Sequence, residues 1–217
     1  MLQILDAWFQ KMEEFLQELK MPDMPDLSKS LWNADETGFC TAVASQRVLA
    51  KRGAKDVHET AGGSGRDYIT VLGVGAADVT RLPPYILYKG CNIFFRWTGG
   101  GPAGSLYGVS KSGWMEADNF ISWFKSLFLP AVDHLLPTGP VVLFLDGHHS
   151  HLSLELIHTA KMKGVHLYCF PPHTTHILQP LDVGVYGPVK QAWKKVLKDH
   201  KLKTVAANVT KEDFPGI

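Results

Sequence analysis

Two strand-like apolar runs separated by a helical stretch constrain this chain most. Val141–Leu145 is an unbroken run of five apolar residues. Val165–Phe170, apolar except at His166, is a second buried-strand run, ended by Pro171-Pro172. Leu152 to Lys163, between them, reads as a helix that ends near Gly164. A run that is apolar at every position suits a strand covered on both faces. Joining two such strands through a helix requires a layered α/β arrangement with helices on both faces of a sheet.

The rest of the chain extends that sheet. From Leu31 the pattern alternates, with Leu31, Asn33 and Asp35 on one face and Trp32, Ala34 and Glu36 on the other. Asp35 and Glu36 therefore cannot point into one site, and Asp35 is expected at the end of this first strand. Tyr68–Gly75 and Leu82–Tyr88 read as a hairpin turning at Ala76-Ala77-Asp78. Asp118 is an expected N-cap for a helix carrying Phe120, Trp123, Phe124, Leu127 and Phe128 and stopped at Pro130. A last helix runs to about Lys198; Pro188 either opens it near Gly187 or kinks it. The expectation is a mixed five-stranded sheet, antiparallel at first and continued by helical crossovers.

Outside this core, residues 2–19 repeat Leu5, Trp8, Phe9, Met12, Phe15, Leu16 and Leu19 at helical spacing, and Met21-Pro-Asp-Met-Pro-Asp26 breaks that helix. The glycine-rich stretches 62–65 and 99–104 lack a following Gly-Lys-Ser/Thr, so they are read as loops and not as a nucleotide-binding P-loop.

Charge is nearly balanced, 22 Lys+Arg against 21 Asp+Glu, so any basic surface must be local. Residues 189–217 hold seven lysines and three acids, which makes the C-terminal end the basic one. Cys40, Cys91 and Cys169 are few, odd in number and widely spaced, which fits an intracellular, reducing setting and excludes a cysteine-based zinc module. No stretch reaches the ~18 apolar residues of a membrane span.

Three aspartates stand at the ends of these elements. Asp35 sits in the first strand, Asp146 ends the run Val141–Leu145, and Asp182 precedes the last helix. Neighbouring first and fourth strands would bring Asp35 and Asp146 together, and the last helix would deliver Asp182. Such oxygen ligands suit Mg²⁺, which keeps several waters and takes phosphate oxygens from a substrate. Each aspartate also has a structural reading: turn chemistry for Asp35, a strand end for Asp146, a helix cap for Asp182.

Histidines flank two of the three: His148, His149 and His151 after Asp146, His173 and His176 before Asp182. They read as a zinc site, as groups that contact a phosphate or orient a carboxylate, or as surface residues. Lys190, Lys194 and Lys198 form a basic stripe at i, i+4, i+8 opposite Val189, Trp193, Val196 and Leu197. The stripe is either a phosphate-contacting surface or a solvated helix face. Trp97 and Trp114 flank the second glycine-rich loop, which reads as a DNA clamp or a flexible loop.

Asn33-Ala-Asp-Glu-Thr-Gly38, Leu145-Asp-Gly-His-His-Ser-His151 and Leu178-Gln-Pro-Leu-Asp-Val-Gly184 resemble the three signature segments of pogo/Tigger/jerky-type DDE transposases, within the mariner-like group. Val48-Leu-Ala-Lys-Arg-Gly53, Leu82-Pro-Pro84, Ser112-Gly-Trp-Met115 and Phe170-Pro-Pro-His-Thr-Thr175 support the resemblance, which runs from about Leu31 to Lys198. It implies an RNase H-like fold with Asp35, Asp146 and Asp182 as catalytic, metal-binding triad for two Mg²⁺ ions, Mn²⁺ serving as substitute. His151 matches the family's segment, and it and Gln179 are expected to contact the scissile phosphate or orient a carboxylate; beside Asp182, the stripe Lys190, Lys194 and Lys198 is then the expected DNA-contacting surface.

The implied activity is metal-dependent cleavage of a DNA strand by water, then strand transfer by a 3′-hydroxyl, in the nucleus. The alternative is a catalytically silent DNA- or chromatin-binding protein derived from a transposase. The expected organisation is an amphipathic helix and proline-containing linker over 1–30, the catalytic domain over 31–203 and a C-terminal tail over 204–217. Family members usually carry N-terminal helix-turn-helix domains, and nothing before Leu31 is long enough for one. The chain is thus expected to be a fragment, a truncated copy or a domesticated remnant, with DNA as partner, no membrane, and a homodimer as an open alternative.

Overall fold

Alternation along β1 (Leu31–Cys40) sorts side chains between two layers. Trp32 and Ala34 enter one hydrophobic core, and Phe39 enters the other. The computed structural model describes residues 2–24, 27–42, 68–135, 139–148, 152–204 and 208–217. The remaining strands are β2 (Tyr68–Ala76), β3 (Tyr85–Lys89), β4 (Leu106–Ser110), β5 (Val141–Leu145) and β6 (Val165–Cys169). They form one sheet in the order β4-β3-β2-β1-β5-β6. The β1–β2 and β2–β3 pairs are antiparallel; β3–β4, β1–β5 and β5–β6 are parallel. This is the mixed α/β sheet of an RNase H-like fold.

The helices are α1 (Leu2–Glu18), α2 (Leu27–Ser30), α3 (Ala117–Trp123), α4 (Leu129–Leu135), α5 (Leu154–Met162), α6 (Thr175–Leu178) and α7 (Gly187–Lys203). The first core packs Phe120, Trp123, Phe124 and Phe128 against Leu72, Leu143 and Leu145. Fully burying one such aromatic side chain contributes roughly 1.5–3 kcal/mol. The second core, on the opposite face, joins Phe39, Ile86, Tyr88, Leu197, Val209 and Phe214. On that face α1 lies over β5 and β6. Its Trp8 packs against Phe144, Tyr168 and Phe170 and donates its indole N–H to the Cys169 carbonyl at 3.0 Å.

Among the described residues the sheet has six strands where five were expected. The missed strand, β4, is an edge strand whose Leu106, Tyr107, Gly108 and Val109 are all only half-buried, so no apolar alternation marks it. Asp35 is not at a strand end: β1 continues five residues beyond it to Cys40.

Asp118 is not the N-cap either. That helix begins at Ala117 with Glu116 in the cap position, and it runs past Pro130 to Leu135. A proline ring clashes with the carbonyl four residues earlier. Here that carbonyl belongs to Ser126, inside a π-helical turn over Phe124–Phe128, and the wider turn leaves room for the ring. The same device answers the question of Pro188, which stands in the first turn of α7 directly after a π-helical turn over Leu181–Tyr186. α7 extends to Lys203, five residues beyond the expected end. α5 starts at Leu154 because Ser153 Oγ accepts the Leu156 amide N–H at 3.1 Å.

Candidate active site

The parallel pairing of β1 with β5 brings the first two aspartates to corresponding places on neighbouring chain segments, just beyond the paired residues. Asn33 pairs with Phe144, and two residues further along each chain stand Asp35 and Asp146. Asp146 follows the last residue of β5, is half-buried, and accepts the His148 amide N–H on Oδ1 at 3.3 Å. Asp182 is the second residue of the π-helical turn and is exposed.

Asp35 is the buried member, 6% exposed, and its Oδ2 has no hydrogen-bond partner. Burial pushes its pKa up to about 7, and the Asp182 charge adds to the rise. The Gln179 amide and the Glu36 backbone pull it down, and Asp146 contributes a smaller rise. Asp35 therefore feels both other carboxylates, with Asp182 the stronger.

Three hydrogen bonds fasten the segment around Asp182 to three successive residues of β1. Gln179, fully buried, donates Nε2–H to the Ala34 carbonyl at 3.4 Å. The Leu181 amide donates to Asn33 Oδ1 at 3.3 Å, and Asn33 Nδ2 donates to the Phe144 carbonyl of β5 at 3.1 Å. Tyr186 Oη donates to the Asp35 carbonyl and accepts the Gly73 amide N–H at 3.2 Å. Sequence reasoning placed Gln179 here but passed over Asn33 and Tyr186. The signal was present: Asn33 shares the Asp35 face of the strand, and Tyr186 lies four residues, one helical turn, after Asp182.

The donor set suits a hard divalent cation. Asp35, Asp146 and Asp182 offer only oxygen, and the Oδ2 of Asp35 is buried without a hydrogen-bond partner. Among the described residues no three His, Cys, Asp or Glu side chains form a group that could hold an ion by themselves. Mg²⁺ does not need such a cage, because it binds through one or two carboxylates, water and substrate phosphate. His148, His173 and His176 are exposed. His149 and His151, the segment Val48–Gly53 and the glycine-rich stretch 62–65 lie outside the described residues.

Lys190, Lys194 and Lys198 are exposed along α7. On the opposite side Leu197 is buried, and Trp193 is half-buried with its indole N–H on the Cys40 carbonyl at 2.8 Å. Val189 departs from that apolar face and lines a groove of about 630 Å³ between β1, β2, residues 79–84 and residues 180–189. The groove is walled largely by aliphatic side chains such as Val74, Leu82, Leu181 and Val185, and the three aspartates do not line it. Trp97 is tied into the fold beneath the Lys211 ammonium, 4.6 Å from its ring centre, whereas Trp114 is 59% exposed.

Residues 66–212 match the family described as DDE superfamily endonuclease, a range that begins after Asp35 and includes Asp146 and Asp182. The chain is 29% identical over 160 residues to the human Pogo transposable element with KRAB domain, covering 74% of this chain and 26% of that protein. It is 25% identical over 175 residues to a Cochliobolus lunatus protein named MFS-type transporter clz9, covering 79% of this chain and 19% of that one. The chain thus spans about a quarter or less of these curated relatives. No helix among the described residues is long and apolar enough to cross a membrane.

Among solved structures, the chain resembles the catalytic domain of Mos1 mariner transposase with a TM-score of 0.52 and 11% identity, covering 92% of this chain and 79% of that one. It resembles the Mos1 mariner paired end complex with Mn with a TM-score of 0.56 and 12% identity, covering 94% and 55%.

Proposed function

We propose that this chain, which belongs to the DDE superfamily endonucleases, is a metal-dependent DNA strand-cleaving domain of pogo/mariner type whose reacting centre is Asp35, Asp146 and Asp182. The observation that carries this reading is the buried Asp35 carboxyl, which has an unpartnered oxygen and responds to the charge of both other aspartates. Solved neighbours named as transposase complexes with Mn or Mg favour the same metals here.

Mg²⁺ or Mn²⁺, two ions in this reading, would polarise the phosphate oxygens and make the attacking water more acidic. Asp35, Asp146 and Asp182 are the residues that would hold the ions. Asp35, whose pKa in the metal-free chain is raised to about 7 by burial, must give up its proton to do so, and a bound cation would favour that ionised form. Gln179 hydrogen-bonds the ionised form and so favours it. His151, in this reading, contacts the scissile phosphate or orients a carboxylate. Lys190, Lys194 and Lys198 project into solvent from the helix that follows Asp182 and would neutralise backbone phosphates.

The reaction is attack of water on a phosphodiester: a new P–O bond forms, the bond to the 3′-oxygen breaks, and a 3′-hydroxyl and a 5′-phosphate result. That 3′-hydroxyl is then the nucleophile for strand transfer. Residues 31–203 form the catalytic unit in this reading, DNA is the partner and the nucleus the compartment.

The test is relaxation of supercoiled plasmid with Mn²⁺. The wild-type chain nicks and Asp182→Asn does not. A silent DNA-binding protein would bind the plasmid and leave it intact, and nicking retained in Asp182→Asn would move the chemistry away from these aspartates.

A further inference from the structure

The hydroxyl of Tyr186 is bonded into the sheet at the residue pair that carries Asp35. Asp35 and Gly73 face each other across the β1–β2 pairing, and Tyr186 Oη contacts the carbonyl of one and the amide of the other. Tyr186 is buried and is the last residue of the π-helical turn that begins at Leu181. At the other end of the same turn, the Leu181 amide is held by Asn33 Oδ1. Asp182 therefore sits between two fixed points, both anchored on β1 and both within two residues of Asp35 in that strand.

The approach of Tyr186 depends on Gly73. A Cβ built there would lie 2.7 Å from Tyr186 Oη and 3.5 Å from two ring carbons. A side chain at position 73 would displace the Tyr186 hydroxyl from the sheet, so Gly73 serves the contact and not an unusual backbone angle.

We infer that Tyr186, seated on Gly73, is a positioning residue that fixes the separation of Asp182 from Asp35 and thereby the divalent-metal affinity of the site. The inference rests on the proposed metal role of those two aspartates. Phenylalanine at 186 keeps the packing of the ring but loses both bonds to the ladder. The segment then keeps its bonds to β1 only on the N-terminal side of Asp182, through Gln179 and Leu181, and the turn that carries Asp182 can move away from Asp35. Partners that orient metal-binding side chains typically account for about 10–100-fold in metal affinity.

The experiment is Mn²⁺ binding to the full chain, read from loss of the free-ion paramagnetic signal, for wild type, Asp182→Asn, Tyr186→Phe and Gly73→Ala. Far-ultraviolet circular dichroism and thermal melts accompany each protein. Tyr186→Phe is expected to keep its circular dichroism and bind Mn²⁺ about 10-fold more weakly. Its nicking activity should need about 10-fold more Mn²⁺ for half-saturation yet approach the wild-type maximum rate at saturation. A merely structural role would lower the melting point and leave that half-saturation unchanged. Gly73→Ala should weaken Mn²⁺ in the same direction; it supplies the comparison if Tyr186→Phe folds poorly. Wild-type Mn²⁺ affinity in a folded Tyr186→Phe protein overturns the inference. Equal Mn²⁺ binding by wild type and Asp182→Asn overturns instead the metal role of the aspartates, and so identifies which of the two readings has failed.

Discussion

Replacing Asp35 by Asn should stabilise the metal-free protein, by an amount that grows with pH. The Asp35 pKa is raised to about 7 in the folded state, against about 3.9 for an unperturbed aspartate. The folded chain therefore keeps this proton to higher pH than the unfolded chain does. The associated stability is fully present below about pH 4 and is lost as pH rises to about 7. Three pH units at 1.36 kcal/mol each amount to about 4 kcal/mol.

Asn mimics the protonated carboxyl in shape and carries no charge to desolvate, so it escapes this loss. In urea titrations with chelator present, the two proteins should be about equally stable near pH 4. Their difference should open by about 1.4 kcal/mol per pH unit and level off at about 4 kcal/mol above pH 7. For a domain of this size that plateau corresponds to roughly 8–16 °C in melting temperature. Asp182→Asn should move the upper end of the wild-type pH transition further down than Asp146→Asn does, because Asp182 is the stronger of the two raising charges. A stability difference between wild type and Asp35→Asn that is flat across pH 4–8 would refute a buried, raised Asp35.

Three further outcomes follow from the same carboxylates and from α7. Millimolar Mg²⁺ or Mn²⁺ should raise the melting temperature of the wild-type chain, since a ligand that binds only the folded state stabilises it. Asp146→Asn should melt higher than wild type without metal and gain less from it, because one of the repelling charges is gone; differential scanning fluorimetry reads both. Replacing Lys190, Lys194 and Lys198 together by Ala should weaken duplex DNA binding independently of sequence. It should also lower the slope of log affinity against log salt by about 0.9 per phosphate contact removed, measured by fluorescence anisotropy at several salt concentrations.

The buried runs were the most legible part of the fold, because continuous apolar patterning has one economical outcome, a strand covered on both faces. Val141–Leu145 is such a strand; Val165–Cys169 pairs with it but is the sheet edge, where Val165 alone is fully buried and the other four residues are half-buried. The first-strand alternation was legible for the same reason: Trp32 and Ala34 go to one core, and Asn33 and Asp35 are buried within the sheet. β4 was illegible because an edge strand of half-buried residues carries no alternation. The helix through Pro130 was misjudged because the proline rule assumes a regular α-helix upstream, and the π-helical turn removes that assumption. In the site, residue types marked the three aspartates. The groups that hold them apart or together, Tyr186 and Gly73 above all, carry no such mark, because their role depends on a contact across 113 residues of chain.

The irregular turn and the buried acid form one arrangement. A regular helix entering Pro188 would place the Gly184 carbonyl against the proline ring; the π-helical turn over Leu181–Tyr186 avoids this. The same turn sends Leu181 to Asn33 and Tyr186 to Asp35. β1 is thereby bonded to a segment whose own carboxylate, Asp182, raises the pKa of Asp35. An isolated fold gains nothing from this: an apolar residue at position 35 would need neither the proton nor the unpartnered oxygen. Local destabilisation of this kind is characteristic of sites that complete themselves with a ligand. In the proposed function a divalent cation would supply what the chain lacks there, pairing the unpartnered oxygen of Asp35 and offsetting the repulsion between Asp35 and Asp182.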